Sequence, residues 1–74
     1  MQIHEKLKAA RIDKDLTQEK VARSLNTTSI QIRRYEKGEQ EMTISKLKNL
    51  CLLYNVSADY ILGLPRDMDW PRIE

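Results

Sequence analysis

The sequence predicts an all-α fold, a compact bundle of five helices, and three observations predict it. The 74 residues hold only two Gly, two Pro and no Phe, too few turn formers for a sandwich of short strands. Apolar residues recur at helical spacing in successive segments. Hydroxyl residues suited to capping a helix precede most of those segments, and residues that tolerate a left-handed backbone follow several of them.

The first helix is expected from Ile3 to about Lys14, with Ile3, Leu7 and Ala10 on one apolar stripe and His4, Glu5, Lys6 and Lys8 mostly off it. The second opens at Thr17 as N-cap and turns Val21, Ala22 and Leu25 inward. Ala22 is small where two helices must approach closely. Asn26-Thr27 form the turn that follows, because Asn tolerates the left-handed conformation that ends a helix, second only to Gly. Thr28-Ser29-Ile30-Gln31 then read as a capping box, with the Thr hydroxyl and the Gln side chain each serving a free backbone N–H. Ile32 and Tyr35 face the core of this third helix, and Gly38 ends it. The fourth helix runs from Thr43 as cap to about Tyr54. Ile44, Leu47, Leu50, Cys51 and Tyr54 make its stripe, and Lys46, Lys48 and Asn49 face water. The fifth is short, from Ser57 as cap to about Leu62, and Gly63 and Pro65 stop it. Residues 1–64 are thus expected to form one domain, and residues 65–74 a polar C-terminal tail carrying the one Trp, Trp70.

Composition excludes several classes. No stretch approaches the roughly 18 apolar residues of a membrane span and no signal-peptide pattern opens the chain. One Cys forms no internal disulfide, which fits a cytoplasmic location. His4 stands alone and no Cys/His/carboxylate spacing suits a metal. Asp67 and Asp69 lack a calcium-loop pattern. No Ser–His–acid set, phosphate loop or catalytic carboxylate pair stands out, so neither an enzyme, a cofactor nor a small-molecule substrate is expected. Cys51 lies on an apolar stripe and reads as a small hydrophobe.

Net charge is only +2, but it is unevenly placed. Between Gln18 and Gly38, Lys20, Arg23, Arg33, Arg34 and Lys37 face Glu19 and Glu36, an excess of three positives. A local basic patch on a nearly neutral chain is the footprint of a polyanion site, though charge alone also fits a solvated helix face. Two short helices joined by a tight turn, the second polar and basic outside, form the layout of a helix-turn-helix that sets its second helix in the major groove.

From Leu7 to Leu64 the chain resembles the Cro and phage-repressor, or XRE, family of lambda-repressor-like helix-turn-helix DNA-binding domains. The matching residues are Arg11, Leu16-Thr17-Gln18, Val21-Ala22, Leu25, Ile32, Tyr35-Glu36-Lys37-Gly38 and Val56 through Leu64. Any one of these pieces is weak, and their order and spacing together are specific. Two positions depart from the pattern: Asn26 stands where Gly is usual, and Thr27 where an apolar residue is usual.

The resemblance implies a role for each matched position. Gln18 would contact the DNA backbone and brace the recognition helix, a place that also suits the free N–H groups of a helix start. Ser29, Ile30 and Arg34 would meet base edges, with Arg33 beside them. Arg34 is the first candidate for direct readout, because a guanidinium pairs bidentately with guanine O6 and N7. Since Ile32 takes the core phase, Ile30 is expected outside, against a thymine methyl. Thr27, Thr28 and Lys37 would hold phosphates. Gln31 would be engaged by its capping box. Arg11 and Glu36 correspond to a family ion pair that fixes the angle of the recognition helix, and so stay outside the DNA site.

The implied protein is a sequence-specific regulator of transcription, in the sense of a repressor, that binds double-stranded DNA. One small module buries limited surface, so a homodimer on a pseudo-palindrome is expected. The alternative is an antitoxin or anti-repressor that uses the same fold to bind a protein. RNA binding is a weaker rival, since the aromatic stacking platforms of single-stranded RNA modules are missing.

Overall fold

The computed structural model describes residues 1–65 and 67–69. Of the expected tail, residue 66 and residues 70–74, with Trp70 among them, lie outside the described residues. Five helices follow in order: α1 Ile3–Asp13, α2 Gln18–Ser24, α3 Ser29–Lys37, α4 Ile44–Tyr54 and α5 Ala58–Leu62. The described residues contain no strand. Helix α1 lies at the centre and packs on α3, α4 and α5, while α2 packs on α3.

The helix starts follow the hydroxyl residues. Thr17, Thr28, Thr43 and Ser57 each accept a hydrogen bond from a first-turn backbone N–H, those of Lys20, Gln31, Lys46 and Asp59, at 3.1–3.2 Å. The capping box expected at Thr28 forms only in part. Its hydroxyl caps the Gln31 N–H, and no return bond from the Gln31 side chain to Thr28 is present. The matching return bond occurs instead at α1, where the Glu5 carboxylate accepts from the Gln2 backbone N–H at 2.7 Å.

The helix ends share one device. After each helix a residue takes a left-handed conformation: Asp15, Asn26, Gly38, Asn55 and Gly63, all with φ between 55° and 73°. The N–H of the next residue then reaches five residues back. Leu16 bonds to the Arg11 carbonyl, Thr27 to Ala22, Glu39 to Arg34, Val56 to Cys51 and Leu64 to Asp59. This is the Schellman closure, and it satisfies carbonyls that each helix would otherwise leave free. A chain with two glycines stops five helices by using Asp and Asn for the other three.

The core is Leu7, Ala10, Val21, Ala22, Ile32, Tyr35, Leu50, Cys51, Tyr54 and Ile61. Leu25 and Leu47, also expected inward, are half-buried against it, and two residues expected on apolar stripes are exposed. Ile44 is 86% exposed and Ile3 is 45% exposed. Both are the first residue of their helix. The stripe continues past the end of the packed bundle there, and the side chain has no facing helix to meet. Together with Leu7, Met42, Leu47 and Leu62 they line an open groove at one end of the molecule. Lys46, expected in water, is half-buried.

Burial pushes the Cys51 thiol above its ordinary pKa. Burial also pushes the Tyr54 phenol up, the nearby Glu36 carboxylate adds to the shift, and Arg11 opposes it.

Candidate nucleic-acid interface

The site rests on how α2 and α3 are joined. Ala22 is 3% exposed at their contact, and its carbonyl accepts the Thr27 N–H at 2.9 Å. Asn26 holds φ 55° at the corner. Three residues therefore set the turn: a small one for close approach, one that tolerates the left-handed region, and one whose N–H closes the loop.

Helix α3 then has two faces. Ile32, Tyr35 and Glu36 are buried on one. At 100° per residue, Ile30, Arg34 and Lys37 form a row on the opposite side, and Arg33 flanks it. Exposure agrees with that phase, since Ile30 is 56% exposed against 2% for Ile32. Arg33, Arg34 and Lys37 are exposed, and among the described residues none of them forms an ion pair. Lys20 and Arg23 on α2 are exposed as well. Thr28 is exposed at the start of α3, and Thr27 and Ser29 are half-buried beside it. The half-buried Gln31 makes no side-chain hydrogen bond that would consume it, contrary to the expectation from the capping box.

Beneath this surface lies a bonded triad that joins three helices. Arg11 on α1 donates to Glu36 on α3 through both Nε–H, at 2.6 Å to Oε2, and an Nη, at 3.1 Å to Oε1. Its other Nη donates to the Leu16 carbonyl at 2.8 Å. Gln18, the first residue of α2, donates its Nε2–H to Glu36 Oε1 at 3.1 Å. The two charged side chains are 11% and 4% exposed. The bond from Gln18 to Glu36 is the brace to the recognition helix that the resemblance implied, and only its partner, 18 residues away, was not named in advance. Two further contacts had no signature in sequence. The Lys6 ammonium donates to the Tyr60 carbonyl at 3.0 Å and lies 5.0 Å from the Tyr60 ring centroid. The His4 ring packs over Gly38 at the end of α3.

Among the described residues no group of three His, Cys, Asp or Glu could hold a metal ion, and no helix is long and apolar enough to cross a membrane.

A short bundle with a bihelical unit, and with basic groups on the free face of its second helix, defines a helix-turn-helix protein. The chain belongs to the helix-turn-helix family, whose profile matches residues 7–61. It is 36% identical over 63 residues to the HTH-type transcriptional regulator ImmR of Bacillus subtilis, covering 85% of this chain and 50% of that protein. It is 36% identical over 70 residues to the uncharacterized HTH-type transcriptional regulator YobD of the same organism, covering 95% of this chain and 62% of that protein. The chain thus spans about half to three-fifths of the length of these curated relatives. A transcriptional regulator from Listeria innocua has a similar structure, with TM-score 0.78 and 25% identity, covering 96% of this chain and 65% of that one. The P22 c2 repressor, solved in complex with a synthetic operator, superposes with TM-score 0.77 over 84% of this chain and 94% of its own. At 22% identity that likeness establishes the shared fold.

Proposed function

We propose that the domain formed by residues 1–64 binds double-stranded DNA as a sequence-specific transcriptional regulator, acting as a repressor and as a homodimer on a pseudo-palindromic operator. One observation carries the reading. The unpaired Arg33, Arg34 and Lys37 and the exposed Ile30 share the free side of α3, while its other side is locked into the core. In this reading α3 enters the major groove. Ser29, Ile30 and Arg34 meet base edges, with Arg33 at their side, and Gln18, Thr27, Thr28 and Lys37 hold the backbone. The regulators named above and the operator complex of the P22 c2 repressor support it. The homodimer is supported by exposed apolar residues near the end of α4, on α5 and just after it, outside the helices assigned to DNA. Leu52 is 70% exposed and Tyr60 54% exposed, and Leu62, Leu64 and Met68 are exposed in the same part of the chain.

The test is Arg34→Ala. Loss of a bidentate base contact costs about 1–3 kcal/mol and relaxes preference at one base pair. Fluorescence anisotropy against a selected operator and its single-base variants reads both effects. An unchanged base preference contradicts the assignment of this face to direct readout.

A further inference from the structure

We infer that Gln31 is a further specificity-determining residue, which reads an adenine at the base pair next to the one met by Arg34. The inference rests on the DNA-binding reading above and extends its base-reading set to a residue that the sequence assigned to a capping box.

The cap at the start of α3 works in one direction only. The Thr28 hydroxyl accepts the Gln31 backbone N–H at 3.2 Å, and the Gln31 side chain returns no bond. Among the described residues that side chain has no hydrogen-bond partner, and no buried side-chain nitrogen or oxygen lacks one. Both polar atoms of the Gln31 amide therefore reach solvent, although the residue as a whole is half-buried. Its backbone and carbon stem take the burial and the polar head stays wet, as in other long amphipathic side chains.

The placement of Gln31 follows from helix geometry. It is the third residue of α3, in the N-terminal turn of the helix, which is the part of a recognition helix that meets base edges. It precedes Arg34 by three residues, so the two lie about 4.5 Å apart along the axis and about 60° apart around it. Residues at that spacing are neighbours on the helix surface. Successive base pairs of B-DNA rise about 3.4 Å, so two such side chains in the major groove meet adjacent pairs. The outward row of Ile30, Arg34 and Lys37 thus has Arg33 along one flank and Gln31 along the other.

The chemistry of the head group selects the base. A neutral amide carries an acceptor and a donor side by side. Its oxygen accepts from adenine N6–H while its N–H donates to adenine N7. Guanine presents acceptors at both places and would leave the amide oxygen unmatched. A phosphate would use the donor half alone and carry no sequence information.

Gln31→Met is the test, because Met keeps the length of the stem and removes both hydrogen bonds. Sites selected from random duplexes by the native chain should hold an A·T pair beside the pair whose preference Arg34→Ala relaxes. With Gln31→Met, discrimination at that A·T pair should fall by about 5-fold to 150-fold. Affinity for random duplexes should stay within about twofold. Anisotropy on the selected site and its single-base variants reads both, and circular dichroism melts confirm folding. Unchanged preference overturns the inference. So does an equal loss on all duplexes, which would mark a phosphate contact.

A second measurement needs no variant. An operator with 7-deazaadenine at that position keeps its base pairing and loses the N7 acceptor. The native chain should bind it about fivefold to tenfold more weakly, the order of one lost hydrogen bond, and Gln31→Met should bind both operators alike. Full binding of the modified operator by the native chain overturns the inference even where Gln31→Met fails to fold. If the native chain binds no duplex, the DNA reading falls and this inference with it. If Arg34→Ala relaxes one base pair and Gln31→Met relaxes none, only the role of Gln31 falls.

Discussion

Substitution of Gly38 by Ala tests how firmly the end of α3 is fixed. Gly38 holds φ +73°, and a Cβ built there would lie 2.9 Å from His4 Nδ1, 3.0 Å from Cε1 and 3.1 Å from Cγ. Two costs follow. The left-handed conformation costs an alanine roughly 1–2 kcal/mol. Moving the His4 ring off its rotamer adds about 1 kcal/mol. A smaller gain opposes them, since the unfolded chain loses about 0.4–1 kcal/mol of conformational freedom when Gly becomes Ala. The net loss is about 2 kcal/mol. Gly63 supplies the control. It has nearly the same φ, +72°, but its nearest neighbour is the Lys6 Nζ at 3.6 Å, an ordinary contact. Gly63→Ala should therefore cost only about 1 kcal/mol. Urea unfolding followed by circular dichroism reads the difference, and with m about 1 kcal/mol/M the Gly38→Ala midpoint falls by about 2 M. Adding His4→Ala to Gly38→Ala should recover about half the loss. Equal costs at the two glycines, or no recovery, would refute the packing of His4 on the recognition helix as the cause.

Three further outcomes are expected. Lys37→Ala should weaken binding alike on all duplexes and flatten the slope of log K against log salt by about one unit, and a changed base preference in a salt titration would contradict its phosphate role. Ile32→Ala should destabilise by about 2–5 kcal/mol through a core cavity, whereas Ile44→Ser, at a position 86% exposed, should stay within about 0.5 kcal/mol in the same urea assay. Stability should fall as pH rises through the ordinary tyrosine range near about 10. The phenol of Tyr54 is raised in the folded state by burial and by Glu36, so the unfolded chain gives up its proton first and gains from each further rise in pH. Tyr54→Phe should remove that part of the alkaline loss in urea unfolding followed against pH.

Much of the fold was legible because local rules carry it. The hydroxyl caps Thr17, Thr28, Thr43 and Ser57 and the stop at Gly38 are read from the residues alone, and all appear. Asp15 and Asn55 were not read as stops, although a usable signal was present. Each is a left-handed-tolerant residue followed by an apolar one, Leu16 and Val56, that packs on the core. The phase of α3 was legible because Ile32 and Tyr35 fix the buried side and leave Ile30 outside. Burial at helix ends was not, because Ile3 and Ile44 have the right period and lack a facing element. The brace from Gln18 to the recognition helix was legible only through the family resemblance, and its partner Glu36 and the packing of His4 on Gly38 depend on the angle between helices, which no short sequence pattern encodes.

Selection of bound sites from a pool of random DNA duplexes tests the central claim most directly. The account predicts enrichment of one sequence with two-fold symmetry and half-sites about 34 Å apart, and with Arg34→Ala a preference relaxed at one base pair of each half-site. A pool that stays random while the native chain is folded would contradict it.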